Sequence, residues 1–389
     1  MSDMRRALLW IGDAVGTILY HAEHGFVLLV EGLRRLAYRL DRKVYDEKLR
    51  ILRVEDGQRT QGQNKFAVFV IYSSGPLPGF TTSAIDAFNA AGYDVLAVLN
   101  LPPDEATVAY LRQSTRLILH RANVGRDFGG YKDAISILLA RFGAPDRLII
   151  ANDSIFFLDR GLSDMLSGLD GPEDFIGVSE VFDHHYHVGS YLLSFSRNAV
   201  ESEAFRRFWT NYKPVTTRRW AIIKGEGRLT AAMVKAGFPP KVLFKAEDLR
   251  EHLLVESSRC FSELTSLLPI PSQRNSTAQF DAIKRQLELR ATDPEKMHTY
   301  VDTASPIIQA VIASNQMHAG GFLFYRFLKL PIIKRDIVFR ELYEFEEVRR
   351  ALSGLADEML LEVMEDLSAR GTGAQLGPWR RLLYRHSAI

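Results

Sequence analysis

The sequence contains a single cysteine, Cys260, in 389 residues. One thiol cannot close an intramolecular disulfide, and such cysteine poverty suits a reducing compartment better than a secreted, disulfide-stapled scaffold. A nucleophilic role would need a partner base that the sequence does not supply, so Cys260 is expected to be an ordinary semi-buried thiol. Charge of one sign is also missing. Lys and Arg total 49 against 47 Asp and Glu, a net charge of +2. That balance excludes the global basic field of a nucleic-acid-binding protein. No apolar run reaches the roughly 18–20 residues that would span a bilayer; Asp13, His21, Glu23 and His24 interrupt the N-terminal candidates. No small-residue cleavage site of secretory type follows the basic N-terminus. The G-x-x-x-x-G-K-[ST] phosphate loop is absent too, which argues against a P-loop enzyme.

What is present is an ordinary globular composition, 47% apolar and 25% charged. The length allows two or three domains and at least one large core. The most informative stretch runs from Arg116 to Asp159. Leu117-Ile118-Leu119 is too short an apolar run for a helix and suits a buried strand. Asn123-Val124-Gly125-Arg126-Asp127-Phe128-Gly129-Gly130 follows as a Gly-rich segment. Ala134, Ile137, Leu138 and Phe142 then recur at helical spacing, and Gly143 and Pro145 stop the helix. A second strand, Leu148 to Ala151, runs into Asn152-Asp153-Ser154. Both strand exits are polar, where open α/β sheets bind ligands. A glycine turn followed by a helix N-terminus favours an anion. Arg126 and Lys132 would add charge-assisted contacts to a diphosphate. Asp153 at a strand end is placed to hold a divalent metal against those phosphates.

Strand and helix alternate around this unit. Phe66 to Tyr72 and Asp94 to Asn100 are buried-strand runs, with helices over Thr82 to Ala91 and Asp104 to Gln113. Phe175 to Val178 and the segment after Val188 add further strands. Such alternation predicts βαβ units in an α/β fold with a mostly parallel sheet. The loop Ser73-Ser74-Gly75-Pro76 falls where a nucleotide base or ribose would sit. His185 and His187, two apart in a strand, would share one face, a spacing that suits metal ligation, with His184 beside them. Three segments are expected: N-terminal amphipathic helices over 1–57, an α/β domain over 65–268 and a helical region over 276–389. The N-terminal pattern, apolar from Leu8 to Leu36 and flanked by Arg5, Arg34, Arg35 and Arg39, predicts a basic helical hairpin. It would pack on the rest of the chain or lie on an anionic membrane surface. The basic, aromatic tail around Trp379 is a second membrane-surface candidate.

Asn123 through Lys132, followed by Asn152-Asp153-Ser154, resembles the rhamnan synthesis protein F family over roughly Lys65 to Phe238. These are glycosyltransferases of bacterial surface-polysaccharide assembly. More distantly, the pattern is similar to the Asn-x-Gly and Asp-x-Asp arrangement of GT-A glycosyltransferases. The resemblance implies a GT-A-like fold and an inverting transfer from a nucleotide-diphosphate sugar to a saccharide acceptor, lipid-linked at the inner face of the plasma membrane. A deoxyhexose such as rhamnose is the implied donor sugar. Asn123, Gly125, Arg126, Asp127 and Asn152 would line the nucleotide-sugar pocket, and Asp153 with Ser154 would hold Mg²⁺ or Mn²⁺. His187 would border the acceptor site. Glu226, just before a helix, matches the family's carboxylate and would be the general base, with Asp183 as the next candidate. His318 and Lys334, in a segment similar to Asn-x-x-His…Pro-Phe-x-Lys-Arg, would contact acceptor or donor phosphate. The chain departs from Asp-x-Asp by having one carboxylate, Asp153. That departure motivates the alternative of a catalytically inactive scaffold.

Overall fold

The computed structural model describes residues 2–73, 75–182, 185–256, 261–269, 280–285, 287 and 304–385. Asp183, His184 and Cys260, and most of the Pro/Ser-rich break after Pro269, lie outside the described residues. Strands are numbered in chain order: β1 Ile51–Asp56, β2 Lys65–Ile71, β3 Asp94–Leu99, β4 Leu117–Arg121, β5 Arg147–Asn152, β6 Ile155–Phe157, β7 Phe175–Gly177, β8 Glu180–Val181, β9 His187–Val188, β10 Leu192–Ser196, β11 Lys241–Val242 and β12 Ile332–Lys334.

Eight of them form one sheet in the order β1-β4-β3-β2-β5-β10-β7-β11. The centre, β4-β3-β2-β5, is parallel. β1 closes one edge antiparallel to β4, and β10 runs antiparallel to both β5 and β7. Every strand expected from the sequence is present, and the fold is α/β with helices on both faces. β1 is an addition. Its Ile-Leu-Arg-Val-Glu-Asp sequence leaves Leu52 and Arg53 exposed, so it lacks the apolar signature of a central strand.

β2 shows why the sheet is buried on both faces. Ala67, Phe69 and Ile71 belong to one core cluster, and Phe66, Val68 and Val70 to the other. Alternate residues of a strand point to opposite faces, so a continuous apolar run signals cover on each side. Helices Arg126–Phe142 and Glu203–Asn211 cover the second face. The first face is covered by helix Gly79–Ala90, through Phe80, Ala84, Ile85 and Phe88, and beyond it by the C-terminal third, through Ile307, Phe322, Val348 and Val363. Its described residues are mainly helical, apart from β12, which pairs antiparallel with β6 in register Lys334↔Ile155. This pairing carries Lys334 and Arg335 back to the end of β5.

The N-terminus is one helix, Ser2–Leu40, and not the expected hairpin. Residues 1–40 contain no proline, and Gly25 and Gly32 face open space, so nothing turns the chain. No helix of the described residues is long and apolar enough to cross a membrane.

Under the second face lies a buried charge triad. Arg50 donates to both carboxylate oxygens of Asp133 (Nη2 to Oδ1 2.6 Å, Nε to Oδ2 3.1 Å), and Arg121 Nε donates to Oδ2 at 3.0 Å. All three side chains are at most 2% exposed. Removing one partner of a buried ion pair typically costs about 3–5 kcal/mol. Asp133→Ala should therefore lower unfolding free energy in urea by roughly that amount. Arg141→Ala, which breaks an exposed pair with Asp56, should change it by less than about 1 kcal/mol.

Candidate active site

The chain goes from β2 outward to β3 and β4, then returns to place β5 on β2's other side. This reversal is a topological switch point, and ligands of open α/β sheets bind at the carboxyl ends of strands there. The ends of β2 and β5 are tied together: Asp153 N–H donates to the Val70 carbonyl (3.1 Å), and Tyr72 N–H donates to Asp153 Oδ2 (2.9 Å). The loop after β4 supplies the third wall.

That loop is shaped by sterics. Gly125 has φ +80°, and a Cβ there would lie 2.2 Å from Pro214 Cβ. Arg126 follows at φ +54°, so two successive left-handed residues lead into the helix Arg126–Phe142. The helix thus starts before Gly129 and Gly130. A Cβ at Gly129 would lie 2.1 Å from the Val124 carbonyl oxygen, and one at Gly130 2.8 Å from Val70. These glycines let the helix approach its own loop and the sheet. They do not form a phosphate turn, and the Gly125 N–H already donates to Thr216 Oγ1 (2.8 Å).

Asp127, half-buried in the first helical turn, stands in the fields of Asp153, Lys334 and Glu226. Burial pushes its carboxyl up to about 6, and the neighbouring carboxylates add to the rise against Arg126. Burial also raises Asp153, opposed by Arg335. Arg335 Nη1 donates to the Asp153 carbonyl at 2.7 Å, and its guanidinium also pairs with Asp366. Lys334 Nζ sits 3.4 Å from Ser154 Oγ and 3.9 Å from the centre of the Tyr191 ring, and burial lowers its pKa.

Glu226 differs from its expected setting. It is half-buried within a π-helical segment, Ala221–Gly227, where Gly225 lies against Phe128. π-segments inside helices are frequent at functional sites. Ser190 Oγ donates to Glu226 Oε1 (2.5 Å), and His187 Nε2 lies 3.4 Å from Oε2. Burial opposes ionisation of this carboxyl, but His187, Ser190 and Lys334 together hold it below the usual range. His187 Nδ1–H donates to the His185 carbonyl (2.9 Å), which aims Nε2 at Glu226. A Cβ at Gly227 would lie 3.1 Å from the His185 ring, so that ring also stands beside the Glu226 segment.

Other expected residues are placed as follows. Asn123 and Arg126 are exposed beside Asp127. Asn152 is buried, donating to Tyr131 Oη (2.9 Å) and accepting from Ser154 N–H (3.0 Å). Lys132 is turned away, its ammonium donating to the Trp209 and Thr210 carbonyls at the end of helix Glu203–Asn211. His318 pairs through Nε2 with Asp336 (2.8 Å), which Arg340 also contacts. Asp336 is held far below the usual carboxylate range, with His318, Arg218 and Lys334 outweighing its burial.

Sequence reasoning missed Arg335, Ser190, Tyr191 and Tyr212. The Tyr212 phenol is buried without a hydrogen-bond partner in the field of Asp127 and Glu226. An aromatic cluster with Phe128 and Trp209 fixes that ring. Only helical spacing in Glu201 to Tyr212 marked it, and that reads as core.

The donor set fits a divalent metal poorly. Among the described residues no three His, Cys, Asp or Glu side chains converge to hold one. Asp153 Oδ2 is engaged by the Tyr72 N–H and Arg335, and the Ser154 hydroxyl faces an ammonium group.

Residues 95–269 match the family described as rhamnan synthesis protein F. A curated relative, the uncharacterized protein y4gN of Sinorhizobium fredii, is 28% identical over 188 residues, 47% of this chain and 49% of that protein. The chain thus spans about half the length of that relative. Structural similarity was found to a protein from Desulfovibrio desulfuricans assigned as a nucleotide-diphospho-sugar transferase (12% identity, 48% of this chain, 80% of that chain, TM-score 0.27). It was also found to 4-diphosphocytidyl-2C-methyl-D-erythritol synthase from Anaerococcus prevotii (10% identity, 48% and 89%, TM-score 0.30).

A raised carboxyl lowers stability where it must ionise. Asp127 imposes nothing well below its ordinary value of 3.8, where both states are protonated; the penalty grows as pH rises through that value and is full above about 6. Asp127→Asn should then stabilise the fold by about 1–3 kcal/mol at pH 7.5, and by far less at pH 4, where that penalty is only beginning to appear. Thermal or urea unfolding at the two pH values checks this. An equal gain at both would contradict the assignment.

Proposed function

We propose that the chain transfers a sugar from a nucleotide-diphosphate sugar to a saccharide acceptor by single displacement. The observation that carries this is the cluster of Asp127, Asp153 and Glu226 with Lys334 at the carboxyl ends of β2, β4 and β5. The family match over residues 95–269 supports the same class. A transferase of this kind needs a proton acceptor for the attacking hydroxyl and positive charge for the departing diphosphate.

Two carboxyls with pKa values pushed apart indicate divided roles. Asp127, raised to about 6, suits proton abstraction near neutrality better than Glu226, which is kept ionised. We therefore assign Asp127 as base, in place of the expected Glu226. Glu226, oriented by His187 and Ser190, would accept hydrogen bonds from sugar hydroxyls, and the partnerless Tyr212 O–H would donate one. In the step, the acceptor O–H proton passes to Asp127 while its oxygen bonds to the anomeric carbon. The bond from that carbon to the phosphate oxygen breaks, and the nucleoside diphosphate leaves with the electron pair. The N-terminus of helix Arg126–Phe142 and the Lys334 ammonium would stabilise it. With a donor set that fits a metal poorly, Lys334 supplies the neutralising cation.

Thermal unfolding with thymidine, uridine, guanosine and cytidine diphosphates identifies the donor class. Ligand at about 100 times its dissociation constant should add roughly 2.7 kcal/mol, without requiring Mn²⁺. A shift seen only with Mn²⁺ would overturn the Lys334 assignment. For turnover, kcat/KM should rise with pH through an inflection near 6. Asp127→Asn should lose roughly 10²–10⁴-fold, while Glu226→Gln keeps the inflection at reduced rate. An inflection that vanishes in Glu226→Gln would return the base role to Glu226.

A lipid-linked acceptor fits the N-terminal helix. Phe26, Leu29, Leu33, Leu36 and Leu40 recur at spacings of three and four, and all are exposed. Arg34, Arg35 and Arg39 stand among them. Such a basic amphipathic face binds anionic membrane surfaces. Leu33→Glu with Leu36→Glu should abolish co-sedimentation with phosphatidylglycerol vesicles and leave the nucleotide-dependent thermal shift intact.

A further inference from the structure

A second basic site lies at the far end of the β6–β12 pair. The Ser154 end of that pair faces the carboxylate cluster. At its other end, Leu158 N–H donates to the Pro331 carbonyl (2.8 Å), and the chain continues to Arg160. Five residues, three of them in β6, separate Ser154 from Arg160, so the two regions are on the order of 15–20 Å apart. There a cavity of about 560 Å³ opens, lined by Arg160, Tyr325, Arg326, Lys329, Arg350 and small residues including Ser353 and Gly354. Among the described residues no Asp or Glu lines it.

Its walls are tightly fixed. Gly161 has φ +90°, and a Cβ there would lie 2.8 Å from the Lys329 carbonyl oxygen, so the loops carrying Arg160 and Lys329 are pressed together. Lys329 itself is held in the left-handed region, at φ +57°, at the end of helix Gly321–Leu328. Arg160 Nη1 reaches to 3.9 Å from where a Gly354 side chain would begin. An independent observation points into the same space. The Tyr325 hydroxyl is shielded from solvent and lacks a hydrogen-bond partner. Nearby Asp159 acts on this phenol from outside the lining, against Arg160.

Cations gathered in one concavity repel each other unless an anion joins them. A guanidinium fork and an ammonium group match phosphate oxygens, and a phenol O–H can donate to a third. We propose that this cavity binds a phosphate group, held by Arg160, Lys329 and Arg350 with Tyr325 donating. The group would be either a soluble phosphate ester or the headgroup of an anionic lipid. The site stands apart from the carboxylate cluster and does not depend on the transfer chemistry proposed there.

Lysine acetylation footprinting of the full chain tests it, with each lysine read by mass spectrometry. Millimolar inorganic pyrophosphate should slow acetylation of Lys329 at least fivefold and leave the exposed Lys235 unchanged. Phosphatidylglycerol vesicles, with phosphatidylcholine as control, form the second arm. Protection by pyrophosphate supports a soluble ester, and protection by phosphatidylglycerol vesicles alone supports a lipid headgroup. Arg160→Gln with Arg350→Gln should abolish protection, and Tyr325→Phe, which removes one oxygen, should weaken it about threefold. The proposal is overturned if neither probe protects Lys329, or if protection persists in the double variant with unchanged circular dichroism.

Discussion

Asp133 is completely buried, and it is acceptable there only because Arg50 and Arg121 both bind it. A lone carboxylate in that position would carry a desolvation penalty of several kcal/mol. The constraint propagates. Arg121 also donates to the Val124 carbonyl (2.7 Å) and to Asn100 Oδ1 (2.5 Å), which joins the exits of β3 and β4. Arg50 Nη1 donates to the Lys43 carbonyl (2.8 Å), anchoring the segment that leads into β1. Val124 in turn abuts Gly129 so closely that no side chain fits. The position of Asp127 is therefore set from beneath by a charge triad, which itself never meets solvent.

Above that base the site is an arrangement of competing charges. Three carboxyls act on one another at one sheet end, and Lys334, one of the cations that oppose them, arrives from a strand some 180 residues after Ser154. The outcome differs for each carboxyl because the partners differ. Glu226 has a histidine, a serine hydroxyl and Lys334 acting on it, and ionises readily. Asp127 has burial and two like charges against it, and resists. A fold that only maximised stability would not keep Asp127. A destabilised carboxyl held in a cleft is what marks Asp127 as a candidate for chemistry.

The sheet was legible in the sequence because its central strands are buried on both faces and so read as unbroken apolar runs. β1 and β12 were not, since an edge strand with Leu52 and Arg53 exposed and a three-residue strand within helices carry no periodic signal. The motif residues Asp127, Asp153, Glu226 and Lys334, picked out from the sequence as candidates, lie in one region of the structure. Their individual environments were not readable, because each depends on contacts far away in sequence. Lys132 illustrates this: beside the motif it suggested a phosphate ligand, yet helix geometry turns it onto the Trp209 and Thr210 carbonyls. The glycines misled for a related reason. A close approach between helix and sheet demands the same residue as a phosphate turn, and only coordinates distinguish the two.

Asn152 stands where the resembled pattern has a carboxylate, and the hydrogen bonding gives that exchange a physical reason. The Tyr131 hydroxyl donates to the Ser190 carbonyl at 2.9 Å, so its oxygen is left to accept. Asn152 Nδ2–H supplies the donor at 2.9 Å, while the amide oxygen takes the Ser154 N–H. An ionised aspartate could accept from Ser154 but could not donate to Tyr131. The amide therefore completes a chain from the end of β5 through Tyr131 to the backbone of Ser190, whose hydroxyl holds Glu226. The single-carboxylate motif is in this sense not a degraded one. Its missing charge is exchanged for a rigid link between the two halves of the site.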